Sequence, residues 1–287
     1  MLCFAENLNP ILMNLKSRLR FETLDRYRYL KAARDIRGAA CPVAVYTMGK
    51  VGSSSIYRNI KTNTKLSVYH VHSMSDEKIL HSEKLVLDKG IVPRGRDEGG
   101  LFYKYRIRPN NPLKIITCVR DPLSRNISAF FDVFEYHTGV NPKDWKEEDD
   151  WRLNDLYIKK LDHNYPLSWF EEEFNIMTGL NVFQIPFSFK KKYLIFGNEF
   201  IDVLLLRSDL DDQLKSNVIN QFLGTKIKAF RRYNVGLSKD YSAIYERFLN
   251  THSLPSWYIE KMLSSQYATH FYTQEELHNL LSKHKSL

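Results

Sequence analysis

An α/β fold, with a parallel β-sheet flanked by helices, is what this 287-residue sequence predicts, and three observations predict it. Short apolar runs rich in Val, Ile and Leu alternate with segments whose apolar residues recur at helical spacing, the pattern of strands buried beneath helices on both faces. Two of those runs end in a turn that opens a helix, at Gly49–Ser55 and at Arg120-Asp121-Pro122. Hydrophobic residues make up 43% of the chain, with 17 Tyr and 17 Phe, enough for one sizeable core.

The first strand is expected over Pro42–Met48, where β-branched and aromatic residues run up to Gly49. A second covers Leu66–Val71 and ends at His72-Ser73. Ser75–Lys89 follows as a helix with Ile79, Leu80, Leu85 and Leu87 as its apolar positions and Gly90 as its stop. Pro93–Pro112, rich in Arg, Gly and Tyr, is expected to be a loop. Leu113–Val119 is the third strand, and Ile127, Phe130, Phe131 and Phe134 form the apolar face of the helix after it. Helices around Trp151–Leu161 and Leu167–Met177 come next, then a fourth strand at Val203–Leu206. Near the end, Thr273 and Glu276 have the spacing of a capping box, in which each side chain bonds the other's backbone N–H.

Composition and charge exclude several classes. The apolar content rules out global disorder, and 12 Gly with 10 Pro rule out a collagen-like chain. The longest apolar runs fall far short of the ~18–20 residues of a membrane-spanning helix, and Glu6, Asn9 and Lys16 interrupt any apolar signal region. Cys3, Cys41 and Cys118 are odd in number and far apart, so reduced thiols in a reducing compartment are expected. The formal charge is +9, and residues 1–40 hold eight cations against four acids. There Leu12, Leu15, Leu19, Leu24, Tyr27 and Leu30 recur every three to five residues, predicting an amphipathic basic helix ahead of an α/β domain at 41–287. Its cations are either a solvated face or a surface for an anionic membrane or acidic partner.

Ligands of such sheets bind beyond the carboxyl ends of the strands. After the first strand stand Lys50, Gly52, Ser53, Ser54 and Ser55, opening a helix. Glycine lets backbone approach an anion, the first helical N–H groups point at it, and serine hydroxyls with a lysine complete a phosphate cradle. A plain helix cap has the same composition. The loop is not a Walker A sequence, in which the lysine follows the last glycine. After the third strand, Arg120 is placed to leave the strand toward the ligand crevice, and Ser128 stands two helical turns further on.

Taken together, Lys50-Val51-Gly52-Ser53-Ser54 and Arg120-Asp121-Pro122-Leu123-Ser124-Arg125-Asn126-Ile127-Ser128-Ala129-Phe130 resemble the sulfotransferases that use 3′-phosphoadenosine-5′-phosphosulfate (PAPS), above all carbohydrate sulfotransferases. The segment from Trp169 through Glu276 is also similar to sulfotransferase-like bacterial proteins of capsular polysaccharide synthesis. The resemblance implies a P-loop-like sulfotransferase fold. It implies that the first loop holds the 5′-phosphosulfate and that Arg120 and Ser128 hold the 3′-phosphate. Leu204–Leu210 looks like the family's late strand and acidic turn, and Arg231–Val235 with Lys239 like its late loop, which implies Asn234 and Lys239 at the nucleotide. An acceptor glycan and a bacterial cytoplasmic setting are further implications, with no metal and no nucleic acid expected.

Sulfuryl transfer needs a base, and histidine suits neutral pH. Tyr69-His70-Val71-His72 is similar to the His-rich strand end of glycan 2-O-sulfotransferases, and strand alternation puts both imidazoles on one face. His72, nearer the crevice, is the first candidate and His70 the second, with Asp97, Glu98 and Glu135 as acidic alternatives. Two structural histidines would give the same pattern. Arg94, Arg96, Arg106 and Arg108 with Phe102, Tyr103 and Tyr105 form either a groove for an acidic glycan or a solvated loop, and Trp145, Trp151 and Trp169 are either sugar platforms or core anchors. Rival classes are a P-loop nucleotide kinase, for which no strand-end Asp suits Mg²⁺, and a basic nucleic-acid binder, for which no recognition motif is visible.

Overall fold

The computed structural model describes residues 15–87, 98–228, 230–231, 239–251 and 253–284. A five-stranded sheet in the order β2-β1-β3-β5-β4 organises the chain, with strands β1 (Val43–Tyr46), β2 (Val68–Val71), β3 (Leu113–Val119), β4 (Tyr193–Gly197) and β5 (Ile201–Arg207). The β1–β2, β1–β3 and β3–β5 pairs are parallel, as expected. Strand β4 is antiparallel to β5, so the sheet is mixed rather than wholly parallel. It is not among the strands expected from the sequence, although Tyr193–Phe196 is a continuous apolar run, and its residues are half-buried or exposed at the sheet edge. The β4–β5 hairpin is tight: Asn198 Oδ1 accepts from the N–H groups of Phe200 and Ile201 at 2.9 Å each. A Cβ on Gly197 would lie 2.1 Å from the Ile201 carbonyl, so only glycine fits there.

Helices cover both faces. Helix α1 (Leu15–Gly38) packs through Ala32 and Ile36, α2 (Ser53–Asn63) through Ile56 and Ile60, and α3 (Asp76–Leu87) follows β2. Ile115 and Ile116 of β3 are wholly buried at the centre. Helix α1 differs from expectation. Leu24, Tyr27 and Leu30, three of the residues predicted to pack, lie exposed, and the packed side is the one carrying Ala32, Ile36 and Asp35. The orientation is set at the end of the helix, where Tyr69 donates to Asp35 at 3.1 Å and the Arg106 guanidinium donates to the carbonyls of Ile36 (Nε, 2.8 Å) and Arg37 (3.0 Å).

Arg106 therefore holds the last carbonyls of α1 rather than lining an acceptor groove. The segment that carries it is not a loop. Its described part is helical, α4 (Gly99–Phe102) running into a π-helical turn at Tyr103–Ile107, because Leu101 and Phe102 bury against the sheet. Leu80 of α3, predicted to pack, is exposed. Trp145 and Trp169 are core residues, whereas Trp151 is exposed. Helix α5 (Pro122–Asp132) buries Leu123, Ile127, Phe130 and Phe131, and no described helix is long and apolar enough to cross a membrane.

The end of β5 is tied to the C-terminal helix Gln274–His284 by Arg207. This guanidinium is almost fully buried and donates to Asp209 Oδ2 and Glu276 Oε1 at 2.7 Å each, to the Phe271 carbonyl at 3.0 Å, and lies 4.1 Å from the Tyr272 ring centre. The capping box forms: Thr273 N–H donates to Glu276 at 2.9 Å and Glu276 N–H to Thr273 Oγ1 at 3.2 Å. Burial opposes ionisation of Asp209, but the bonds from Arg207 and Lys192 outweigh it and lower its pKa from 3.8 to about 2.

Arg207→Ala removes a buried guanidinium that bonds Asp209, Glu276 and the Phe271 carbonyl, and we expect a lower midpoint in urea unfolding. Because Asp209 titrates lower folded than unfolded, its contribution is present above about pH 4 and lost as the pH falls further. Unfolding midpoints of Asp209→Asn should accordingly show a smaller loss of stability over that acid interval than the parent chain.

Candidate functional site

The chain leaves β1 through a turn in which two residues adopt left-handed backbone, Lys50 at φ 73° and Gly52 at φ 82°. For lysine that conformation costs roughly 1 kcal/mol, and surrounding contacts must hold it. Two arginines from the α5 side do so. Arg120 Nη1 donates to the Lys50 carbonyl at 3.3 Å, and Arg125 Nε donates to the Gly49 carbonyl at 3.1 Å. Arg125 is buried, its guanidinium 4.7 Å from the Tyr165 ring centre and bonded to Asn126 Oδ1 at 2.9 Å. Tyr267 fixes the exit of β3, accepting from the Arg120 N–H at 3.2 Å and donating to its carbonyl at 2.8 Å.

Gly52 is the N-cap of α2, gives it no side-chain cap, and no acid stands in the first turn, so the positive end of this helix faces the crevice without a carboxylate on it. Ser53 is buried there, and Ser54 and Ser55 are half-buried beside it. The start of α5 is different. Asp121 accepts from the Ser124 N–H at 2.7 Å and Pro122 fills the first position, so that end is already capped. Of the two helix starts, α2 is the one chemically suited to an anion.

Along α5 the residues that are not buried include Ser124, Ser128 and Asp132, spaced i, i+4, i+8 on one stripe. Asp132 ion-pairs with Lys50 and accepts from Lys239 Nζ at 2.7 Å, so the stripe that carries Ser128 turns toward the cradle. Burial pushes the Lys50 pKa down, opposed by Asp132. Burial opposes ionisation of Asp132 in turn, but the two lysines outweigh it and lower its pKa.

At the end of β2, the imidazoles of His70, within the strand, and His72, just after it, meet with ring centres 4.6 Å apart. His70 Nε2 lies 2.8 Å from Ser53 Oγ and its ring stacks on Tyr57 at 5.8 Å. Burial, then the neighbouring His72, lowers its pKa to about 3, so His70 is neutral at pH 7 and ties the sheet to the first residue of α2. His72 Nδ1 is 2.7 Å from the Thr47 carbonyl, which can only accept. The ring therefore donates from Nδ1, and Nε2, on an exposed ring, is the nitrogen this bond does not engage. The turn after His72 is held by Glu173, whose Oε1 accepts from Tyr46 Oη (2.6 Å), Ser73 Oγ (2.9 Å) and Met74 N–H (2.7 Å).

The structure thus brings Lys50, Gly52, Ser53, Ser54, Ser55, Arg120, Ser128, Lys239, His70 and His72 to the carboxyl edge of β1, β2 and β3. Asn234, Arg94, Arg96 and Asp97 lie outside the described residues. Arg231, just before the late loop, is pinned to α2 by Asn59, which accepts from its N–H at 3.0 Å and donates to its carbonyl at 2.7 Å. Glu135 is exposed, with Asn141 bonded to it at 3.3 Å, and Glu98 precedes α4. Asp132, Glu173 and Asn59 are residues that sequence reasoning missed. The four-residue step from Ser128 was a usable signal for Asp132, whereas Glu173, in the run Glu171–Glu173, looks like a solvated acid.

Cys41 and Cys118 are free thiols, and among the described residues no group of three or more His, Cys, Asp or Glu could hold a metal ion. No family model matches the chain, and neither the curated proteins nor the solved structures contain a match.

A Cβ at Gly52 meets nothing within 4 Å, so replacing this glycine tests the left-handed backbone alone. Gly52→Ala should lose about 1 kcal/mol in chemical unfolding. Gly49, equally uncrowded but not at positive φ, should tolerate alanine with a smaller loss.

Proposed function

We propose that the chain transfers a sulfuryl group from 3′-phosphoadenosine-5′-phosphosulfate to a hydroxyl, with a glycan as acceptor. The observation that carries this reading is the pairing of an acid-free helix start with a second, arginine-bearing strand end across one crevice: Lys50 and α2 on one side, Arg120 and the Ser128 stripe on the other. Such a crevice suits a ligand with two separated anionic groups, and the donor nucleotide has them. The carbohydrate acceptor and a bacterial cytoplasmic setting rest on the sequence resemblance.

In this reading the α2 N–H groups, Ser53–Ser55 and Lys50 take the 5′-phosphosulfate, and Arg120 and Ser128 take the 3′-phosphate. Lys50 exchanges its bond to Asp132 for one to the donor. The acceptor oxygen attacks sulfur, the bond from sulfur to the bridging oxygen breaks, and the electron pair departs on the 5′-phosphate. Lys50 and the helix start neutralise that charge as it develops. The acceptor proton passes to Nε2 of His72, whose lone pair is kept available by the bond from Nδ1 to Thr47. His70, held neutral by burial, positions Ser53 and the His72 ring rather than cycling a proton. Asp132 is the second candidate for the base, since it already contacts Lys50.

Sulfate transfer from labelled donor to a mixed glycan panel tests the reading. Lys50→Ala and Arg120→Ala should abolish turnover in chains that still fold, Arg120→Ala with a modest drop in thermal stability as its bond to the Lys50 carbonyl is lost. His72→Ala should lower kcat by about 10²–10⁴. Unchanged turnover in Arg120→Ala removes the 3′-phosphate assignment. If Asp132→Asn is inactive and His72→Ala is not, the base is Asp132.

A further inference from the structure

At the opposite edge of the sheet, an open pocket of about 540 Å³ lies between the end of α1 and the end of α2. Four cations line it, Lys31 and Arg34 from α1 and Lys61 and Lys65 from the α2 side. Asp35 is the one acid among its lining residues, and it is already engaged by Lys31 at 2.5 Å and Tyr69 at 3.1 Å. Ser67, also in the lining, has a buried hydroxyl with no hydrogen-bond partner. Gly38 and Ala39 precede β1, and Leu66 and Ser67 precede β2, so the pocket sits at the amino ends of the strands. Helix α2, 11 residues and hence roughly 16 Å long, separates it from the cradle at its other end.

The same side of α1 carries the apolar residues that do not pack. Leu24, Tyr27, Lys31 and Arg34 follow at steps of three and four and so share one helix face, with Leu30 beside them. Leu24 is 45%, Tyr27 64% and Leu30 68% exposed. A soluble phosphate or acidic glycan would be served by the cations alone and gives no reason for three large apolar side chains in water. A second copy of the chain would bring its own cations against these. An exposed helix face that carries apolar residues followed by basic ones matches an anionic lipid surface, where apolar side chains enter the headgroup boundary and cations meet phosphates.

We propose that this face docks on a membrane of anionic phospholipid, with a headgroup phosphate in the pocket between α1 and α2. Docked in this way, the chain holds its strand carboxyl ends away from the bilayer, open to ligands arriving from solution. The proposal does not depend on the reaction performed at that crevice.

Cosedimentation of the full chain with large vesicles of phosphatidylglycerol and phosphatidylcholine, against phosphatidylcholine alone, tests it. Binding should require phosphatidylglycerol and weaken with salt. Lys61→Gln with Lys65→Gln should lower the partition coefficient roughly 25-fold, since each cation near such a surface contributes about fivefold. Tyr27→Ser with Leu30→Ser should also lower it, with circular dichroism and thermal unfolding confirming that both variants fold. Equal binding to both vesicle types, no binding, or binding kept by both double variants overturns the proposal. So does an effect of the lysine pair alone with inorganic phosphate as an efficient competitor, which makes the pocket a soluble-anion site.

Discussion

Everything at the carboxyl edge depends on the left-handed turn between β1 and α2. Lys50 and Gly52 both stand at positive φ, and this turn sets Lys50 against Asp132 and leads into α2 without a side-chain cap on its N–H groups. The conformation is unfavourable for a residue with a side chain. It is held because Arg120 and Arg125 reach back from the second loop to the carbonyls of Lys50 and Gly49. The two loops are therefore one mechanical unit, in which disturbing the exit of β3 also releases the cradle. Burial of Arg125 under Tyr165 and the clamp of Tyr267 on Arg120 extend that unit into the helical layer.

Electrostatics gives the same unit its second property. Lys50 and Lys239 converge on Asp132: burial lowers the Lys50 pKa with Asp132 opposing it, whereas for Lys239 the bond to Asp132 outweighs burial and raises the pKa. On the proposed reading, a dianionic group would offer the lysines a stronger partner than a single carboxylate, and its entry would exchange partners rather than desolvate the lysines afresh. Nearby, burial keeps His70 neutral, which spares the crevice another cation and leaves the ring as a fixed hydrogen-bond partner of Ser53. His72 differs because its ring is exposed and its tautomer is set by one backbone carbonyl.

How much of this was legible in the sequence follows from which signals are local. The strands β1, β2, β3 and β5 are largely apolar segments rich in Val, Ile and Leu and could be read directly, as could the capping box at Thr273 and Glu276. Strand β4 was missed although Tyr193–Phe196 is an apolar run, because a short run beside Lys190–Lys192 gives no sign of which strand it pairs with. The Gly and Ser residues at α2 and the Arg120–Ser128 spacing placed those residues at the carboxyl edge of the sheet, where they lie, since strand ends and helix starts are fixed by chain order. Long-range partners were invisible: Arg106 bonds backbone some 70 residues away, and Glu173 caps a turn 100 residues earlier. On α1 the periodicity was real, but which of its sides packs was decided by Asp35, Tyr69 and Arg106, not by the Leu24–Leu30 pattern.

The central claim is that two loops form one site for two separated anionic groups. Titration calorimetry of adenosine 3′,5′-bisphosphate against adenosine 5′-monophosphate measures it directly, because the ligands differ only in the group assigned to Arg120 and Ser128. The account predicts that the bisphosphate binds at least tenfold tighter, and that Arg120→Ala brings the two affinities together. Equal affinities in the parent chain, or tighter binding of ATP with Mg²⁺ than of the bisphosphate, would contradict it.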